Sequence, residues 1–192
     1  ASGDWGQGGF RLGRVKNPYG LYSASRFIPF ARPSIILPQS IYFERTRKIA
    51  ISSDGAQAYL DWASDWGTLS ANVTLGWPDA SDRAMEVASL GRDYPGHTDA
   101  QFTQFYQLSF EDPEKVWRIA ATKVEVDVKY HPANQDVLNS ALFGFDPYIF
   151  SAQYNGENWS LTAEYAMRPS HLRQQFVTNT LDLKAIGESY YI

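Results

Sequence analysis

Residues 147–168 read PYIFSAQYNGENWSLTAEYAMR, and this stretch decides the fold class. Two runs with a period of two flank Asn155-Gly156-Glu157-Asn158. In the second run Trp159, Leu161, Ala163, Tyr165 and Met167 share one face, and Ser160, Thr162, Glu164, Ala166 and Arg168 share the other. Successive strand side chains point to opposite sides of a sheet, so one face is apolar and one polar. Asn-Gly supplies the positive φ angles that a tight hairpin requires. Trp159 lies beside the turn and Tyr165 toward the far end, which puts aromatics near both ends of the apolar face. A transmembrane β-hairpin has these features, with lipid on the apolar side and water on the other. A soluble sandwich uses the same alternation, so repetition along the chain has to separate the two.

The pattern repeats. In 56–64 (AQAYLDWAS), Ala56, Ala58, Leu60 and Trp62 alternate with Gln57, Tyr59 and Asp61. After a short turn at 65–67, the run 68–77 (TLSANVTLGW) sets Leu69, Ala71, Val73, Leu75 and Trp77 against Thr68, Ser70, Asn72, Thr74 and Gly76. In a third hairpin Phe102, Tyr106, Leu108 and Phe110 share a face that Gln104 interrupts. Pro113 sits in its turn at 112–115, where a residue without an N–H costs no ladder bond. The return strand ends in KVEVDVKY, with Val124, Val126, Val128 and Tyr130 opposite Lys123, Glu125, Asp127 and Lys129. The charged parity reads as a ladder across a wet wall, and the valine parity as the apolar side.

At 192 residues the chain is expected to form one domain spanning 1–192. Cysteine is absent, which excludes disulfide and thiolate-metal frameworks. Aromatics are 15%, and 12 Tyr and 6 Trp outnumber 11 Phe, as interfacial girdles favour amphipathic rings. Mean hydropathy is −0.37 and no apolar run approaches about 20 residues, so a membrane helix is excluded. A barrel strand spans with about half that length and only alternate residues apolar. No signal peptide is visible at Ala1, and the terminal SYYI reads as a strand just starting, so the barrel is expected to be incomplete.

Connections alternate in length. A strand at 8–16 leads into a long segment, 17–55. The turn 65–67 is followed by a long connection at 78–100, with a short helix expected at 79–90. The turn 112–115 precedes a long connection at 131–145, and the turn 155–158 precedes another at 169–187. Outer-membrane barrels sort short turns to one end and long loops to the other. The expected fold is therefore all-β: an antiparallel up-and-down transmembrane β-barrel, or a partial one, with about eight strands. No fixed-period repeat points to a propeller or solenoid.

Charge is uneven: residues 1–50 hold eight basic and two acidic residues in a chain of net charge −4. A positive end attracts anions. Nucleic acid is not expected, since no binding motif accompanies the charge. The segment 17–55 is unusually apolar for a loop, with Ile35-Ile36-Leu37 between Arg32-Pro33 and Pro38. In a barrel such a loop is expected to pack on the inner wall.

Here the motifs become specific. GFRLGRVKNPYGLY, ARPSIILPQSIYFERTR and SSDGAQAYLDW resemble an outer-membrane porin-like family of Gram-negative bacteria, and NWSLTAEY and ESYYI are similar to its later strands. The resemblance covers most of the chain, and family members are longer. It implies a passive channel in the bacterial outer membrane for small solutes, with membrane lipid as the other partner and no cofactor. By analogy with porins whose early loop narrows the pore, 17–55 is expected to be an inward-folding constriction loop. Arg11, Arg26, Arg32, Asp61, Glu164 and Arg168 are the lumen candidates. Arginine offers carboxylate or phosphate a permanently charged planar fork, so anions would be favoured. The alternative is that Arg26 and Arg32 pair with Asp61, Glu164 or other wall carboxylates and pin the loop. Homo-oligomerisation is common among porins, and no residue here marks an interface.

Arg14 and Lys16 fall on the lipid-side parity if Phe10 and Leu12 face lipid. Either they sit at the membrane edge, where the cost is about 0–1 kcal/mol, or Gly13 marks a bulge that flips the register. Other constellations are weak. His97, His131 and His171 share no ligand spacing, Asp79, Asp93 and Asp99 read as a solvated acidic loop, and no nucleophile elbow accompanies Ser, His and Asp. Glu125 and Asp127 are about 7 Å apart on one strand face, but Lys123 and Lys129 flank them as a charge ladder. No catalytic or metal residue is assigned and no enzyme is expected. The rival reading is a secreted β-sandwich that binds carbohydrate through its Trp and Tyr residues. An outer-membrane enzyme using the wet face is a third.

Overall fold

A computed structural model describes residues 6–22, 38–42 and 47–192. In chain order the elements are β1 (Gly6–Lys16), α1 (Arg47–Ile51), β2 (Ser52–Ser64), β3 (Gly67–Pro78), α2 (Arg83–Leu90), β4 (His97–Ala100), β5 (Thr103–Glu111), β6 (Trp117–His131), β7 (Leu138–Phe145), β8 (Tyr148–Asn155), β9 (Ser160–Phe176) and β10 (Thr180–Tyr191). All ten strands belong to one antiparallel sheet, ordered β1-β2-β3-β5-β6-β7-β9-β10, with β4 also on β6, and β8 between β6 and β9. β4 and β5 are two halves of one strand position, as are β7 and β8. Backbone bonds carry the ladder across both breaks: Gln101 N–H to Asp127 O (2.7 Å), Val124 N–H to Pro147 O (3.0 Å) and Asp146 N–H to Pro169 O (3.0 Å). The sheet therefore has eight positions in up-and-down order, as the alternation predicts. The order ends at β1 and β10, which do not pair with each other among the described residues.

Several connections are shorter than the sequence suggests. The turns at one end, 65–66, 112–116 and 156–159, are short as expected. At the other end 17–51 and 79–96 are long, with β2 beginning at Ser52 inside the expected 17–55 loop. The expected long connections at 131–145 and 169–187 shrink to 132–137 and 177–179, because β7, the end of β9 and most of β10 occupy them. The last strand is twelve residues long, not a stub at SYYI.

These extensions escape a reading based on apolar-outward alternation because the sheet reverses polarity along its length. We call the face that carries residues 17–22 and 38–42 inner, and the opposite face outer. On the lower part of β6, Trp117, Ile119 and Ala121 point outward and Arg118, Ala120 and Thr122 inward. Above Thr122 the valines point inward, with Val126 2% exposed, while Lys123, Glu125, Asp127 and Lys129 point outward. The expected assignment of this charge ladder to the wet inner wall is thus corrected. His97 and Asp99 on β4, His171 and Arg173 on β9, and Asp182 and Lys184 on β10 continue the charged outer zone.

Below that zone the outer face is apolar and uncovered. Phe10, Leu12, Leu60, Leu108, Ile119, Phe150 and Leu161 are all exposed, Leu108 by 52%. Rings cluster toward the short-turn end: Trp62 with Trp66 (centroids 5.7 Å apart), Trp66 with Phe110 (5.2 Å), Trp117 with Tyr154 (4.8 Å) and Tyr154 with Trp159 (4.7 Å). Trp77 and Phe102 meet at 5.2 Å toward the other end. The β1–β2 register runs unbroken from Gly6 to Lys16, so Gly13 (φ 108°) is not a bulge. Arg14 points outward opposite Asp54, at the upper margin of the apolar zone.

The core lies on the inner face. Tyr19, Leu21, Tyr22, Ile41 and Tyr42 pack with Phe105, Val124, Val126, Val128, Ile149 and Ala166 of the wall, and with Ile49, Ala80 and Met85. Fully burying an aliphatic side chain such as Ile41 or Ile149 contributes about 1.5–3 kcal/mol. A second cluster joins Leu90 and Tyr94 to Tyr130, Leu138 and Ala141 nearer the upper end. α2 falls within the helix expected at 79–90. Asp82 caps it by accepting from Ala84 N–H, and Gly91 (φ 80°) ends it in the left-handed conformation.

Candidate functional site: an inner wall with an inward-folded segment

The inner face of the lower sheet is polar by sequence: Gln57, Thr74, Thr122, Ser151, Thr162 and Glu164 all point there and all are buried. What buries them includes residues 17–22 and 38–42. Buried polar groups need partners: the segment supplies them to Thr162 and Glu164, while Gln57 bonds Thr74, Thr122 bonds Gln107 and Ser151 bonds Glu164 within the wall. Glu164 on β9 is 2% exposed. Its Oε1 accepts from Leu21 N–H (3.1 Å), Tyr42 O–H (2.9 Å) and Ser151 O–H (2.6 Å), and its Oε2 from Tyr191 O–H (2.7 Å). An ionised carboxylate is acceptor-only, and here it gathers four donors, three of them on Oε1 and one on Oε2. Glu164 therefore lies beneath the segment, whereas the sequence suggested a side chain wetting the lumen.

The segment reaches this depth because of Gly20. Its φ is +65°, and a Cβ there would lie 3.1 Å from Glu164 Oε1 and against the Tyr42 hydroxyl. Only glycine takes that conformation at no steric cost. Around it Gln107 donates to Gly20 O (2.9 Å), the Tyr22 and Thr162 hydroxyls bond at 2.8 Å, and Tyr22 N–H donates to Tyr42 Oη (3.2 Å). Tyr42 stands edge-on to both Tyr19 and Tyr22, with centroids 6.2 and 6.3 Å away. Arg168 donates to Ser40 O, which also accepts from Ser189 O–H (2.7 Å). Arg168 thus pins the segment instead of facing an open passage.

Arg11 sits elsewhere on the same face. It opposes Gln57 and donates to its Oε1 (2.6 Å), while its guanidinium lies 4.3 Å from the centroid of the Tyr59 ring. Gln57 is in turn held by donating to Lys16 O (2.9 Å) and Thr74 Oγ1 (3.0 Å). Asp61 lies one inward position beyond Tyr59 and is partly buried. Arg11 is exposed, so the structure places an oriented cation on the inner face of β1–β3. Arg26 and Arg32 lie outside the described residues.

The second long connection is tied to the first. Lys48 of α1 lies 3.4 Å from both Asp79 and Asp82, at the approach to α2. Hydrogen bonds from Ser81 lower the Asp79 pKa, the Ala84 N–H lowers that of Asp82, and the Asp79 charge raises that of Lys48. Buried Glu86 accepts from Thr98 N–H (2.9 Å) and Arg83 (2.7 Å), and Gln174 donates to Leu90 O (2.9 Å).

Sequence spacing missed one cluster on the outer face. The β4–β6 register sets His97 opposite His131, their rings stack at 5.2 Å, and Asp99 lies 3.5 and 3.6 Å from them. Among the described residues no group of three or more His, Asp or Glu is arranged to hold a metal ion. Sequence reasoning also missed Tyr42, Ser151 and Tyr191 as partners of Glu164. The signal that could have found them is the glycine of NPYG, which permits close approach. Comparison of the chain with protein-family models, with curated proteins and with solved structures finds no match.

Proposed function

We propose that the chain forms part of the wall of a porin-like channel of a bacterial outer membrane, through which small solutes diffuse passively and anions are favoured. The carrying observation is that the lower sheet is inside out: its uncovered face is apolar and its covered face is polar. A water-soluble sheet buries the apolar parity instead. No helix among the described residues is long and apolar enough to cross a membrane, so strands would do so. The outward run from Leu69 to Trp77 carries no charge. At about 3.3 Å per residue it covers about 26 Å, or about 20 Å along the normal at a tilt of about 40°. That approaches the apolar band of an outer-membrane barrel, and rings flank it at both ends as interfacial girdles do. The GRVKNPYGLY and RPSIILPQSIY motifs support the same reading. Eight strand positions closed on themselves would leave a filled interior. The reading therefore requires further strands joining β1 to β10.

The test is reconstitution of the purified protein in planar bilayers. Discrete conductance steps, with a reversal potential displaced toward anions in a salt gradient, are expected. A full-length protein that stays monomeric in buffer without detergent and forms no pores would refute the channel.

A further inference from the structure

We propose that Glu164 is the positioning residue that holds the inward segment against the wall, through direct bonds to both of its described parts. Among the described residues it is the wall group that accepts from 17–22, through Leu21 N–H, and from 38–42, through the Tyr42 hydroxyl. The same carboxylate accepts from Ser151 on β8 and Tyr191 on β10, so its direction is fixed by neighbouring strands. Further attachments support it: Gln107 and Thr162 bond to 17–22, and Arg168 and Ser189 bond to Ser40 O. Gly20 is seated directly above the carboxylate. A neutral amide at this position has one accepting oxygen and presents N–H donors where the hydroxyl of Tyr191 now donates, so it keeps the shape and only part of the bonding. An alanine leaves all four donors without their acceptor.

The attachment stands on geometry alone. Its consequence, that Glu164 sets the free width of the passage, rests on the channel reading above. The experiment measures the two separately, on the full chain folded into detergent or vesicles. Amide hydrogen exchange reads the segment, since Leu21 and Tyr22 N–H both donate within this contact. Glu164→Ala is expected to speed exchange in 17–22 by at least about tenfold, Glu164→Gln less. Tyr42→Phe removes the bond to Glu164 and the acceptor of Tyr22 N–H and leaves the wall intact, so exchange at Leu21 N–H, which Glu164 holds directly, is expected to speed and decides the matter if Glu164→Ala does not fold. Ser151→Ala cuts a wall-to-wall bond and leaves exchange in 17–22 near that of the parent. In bilayers, Glu164→Ala raises single-channel conductance. Parent-like exchange in a folded Glu164→Ala, or in Tyr42→Phe where the alanine variant does not fold, overturns the proposal. A parent protein that forms no pores while exchange still depends on Glu164 removes the channel and leaves the attachment standing.

Discussion

The hydroxyl of Tyr42 meets the carboxylate of Glu164 at 2.9 Å, 122 positions away along the chain. This contact joins a segment that leaves the sheet after β1 to a strand near the other edge. A contact of such separation forms only after much of the sheet has assembled, since closing a long loop costs entropy before the contact returns any.

Substitution of Gly20 tests how closely the segment must approach. Gly20→Ala places a Cβ against Tyr42 and Glu164 in a left-handed backbone conformation. A loss of about 1–3 kcal/mol is expected. Urea titration of the vesicle-folded protein should show a lowered midpoint, and an unchanged midpoint would mean that the segment is not seated as described.

The apolar outer face gives a sharper discrimination between membrane and water. Leu108 lies between Ala71 and Ala121 in the middle of that face. In a bilayer Leu108→Arg should cost about 2–4 kcal/mol, and Arg14→Leu at the margin within about 1 kcal/mol. On a water-exposed sheet both changes would stay within about 0.5 kcal/mol. Folding free energies in vesicles separate the two cases.

Arg11 carries the charge preference in this reading. Arg11→Glu reverses the one described cation stacked on Tyr59 without disturbing the Glu164 contacts. The reversal potential should move toward cations, with conductance at high salt little altered. An unmoved reversal potential would assign selectivity to residues other than Arg11.

The link between the two long connections should depend on pH. The Asp79 and Asp82 pKa values are lowered in the folded protein, so their contribution is present above the ordinary carboxylate value of about 3.9 and is lost as pH falls through the lowered values. That of Lys48 is raised, so its contribution is complete below about 10.4 and is lost as pH rises through the raised value. Exchange protection of α1 and α2 should hold between those two values and fall as pH passes the lowered carboxylate values on the acid side and the raised lysine value on the alkaline side. Lys48→Ala should flatten the alkaline limb and lessen the acid one, and 1 M salt should weaken the plateau, since these charges are exposed.

The hairpin at 147–168 was legible because every outward residue from Leu161 to Met167 is apolar or aromatic, although its turn is the four-residue connection 156–159 and neither Asn155 nor Gly156 takes the positive φ expected of them. The strands at 138–145 and 169–187 were not, because polarity inverts there: His171 and Arg173 point outward and Leu172 inward. Alternation survives the inversion, but the rule assigning its sides does not. Glu164 shows a different limit. Its parity placed it on the polar face, but parity says nothing of what lies above that face. The donors that bury it come from Leu21, Tyr42 and Tyr191, which no local pattern connects to β9.

The reversal at Thr122–Lys123 makes β6 a depth gauge. If lipid ends where the outward charges begin, the strand runs on for eight residues to His131, about 26 Å of ladder, or about 20 Å of height at the usual tilt. The mouth of the structure is then raised on a collar well clear of the bilayer, with Tyr94, Tyr130 and α2 at its rim. A solute arriving from outside would pass this collar first, and the level of the lipid headgroups only afterwards. In the channel reading this height follows from one change in which chemistry the outward residues of a single strand carry, with the alternation itself unbroken.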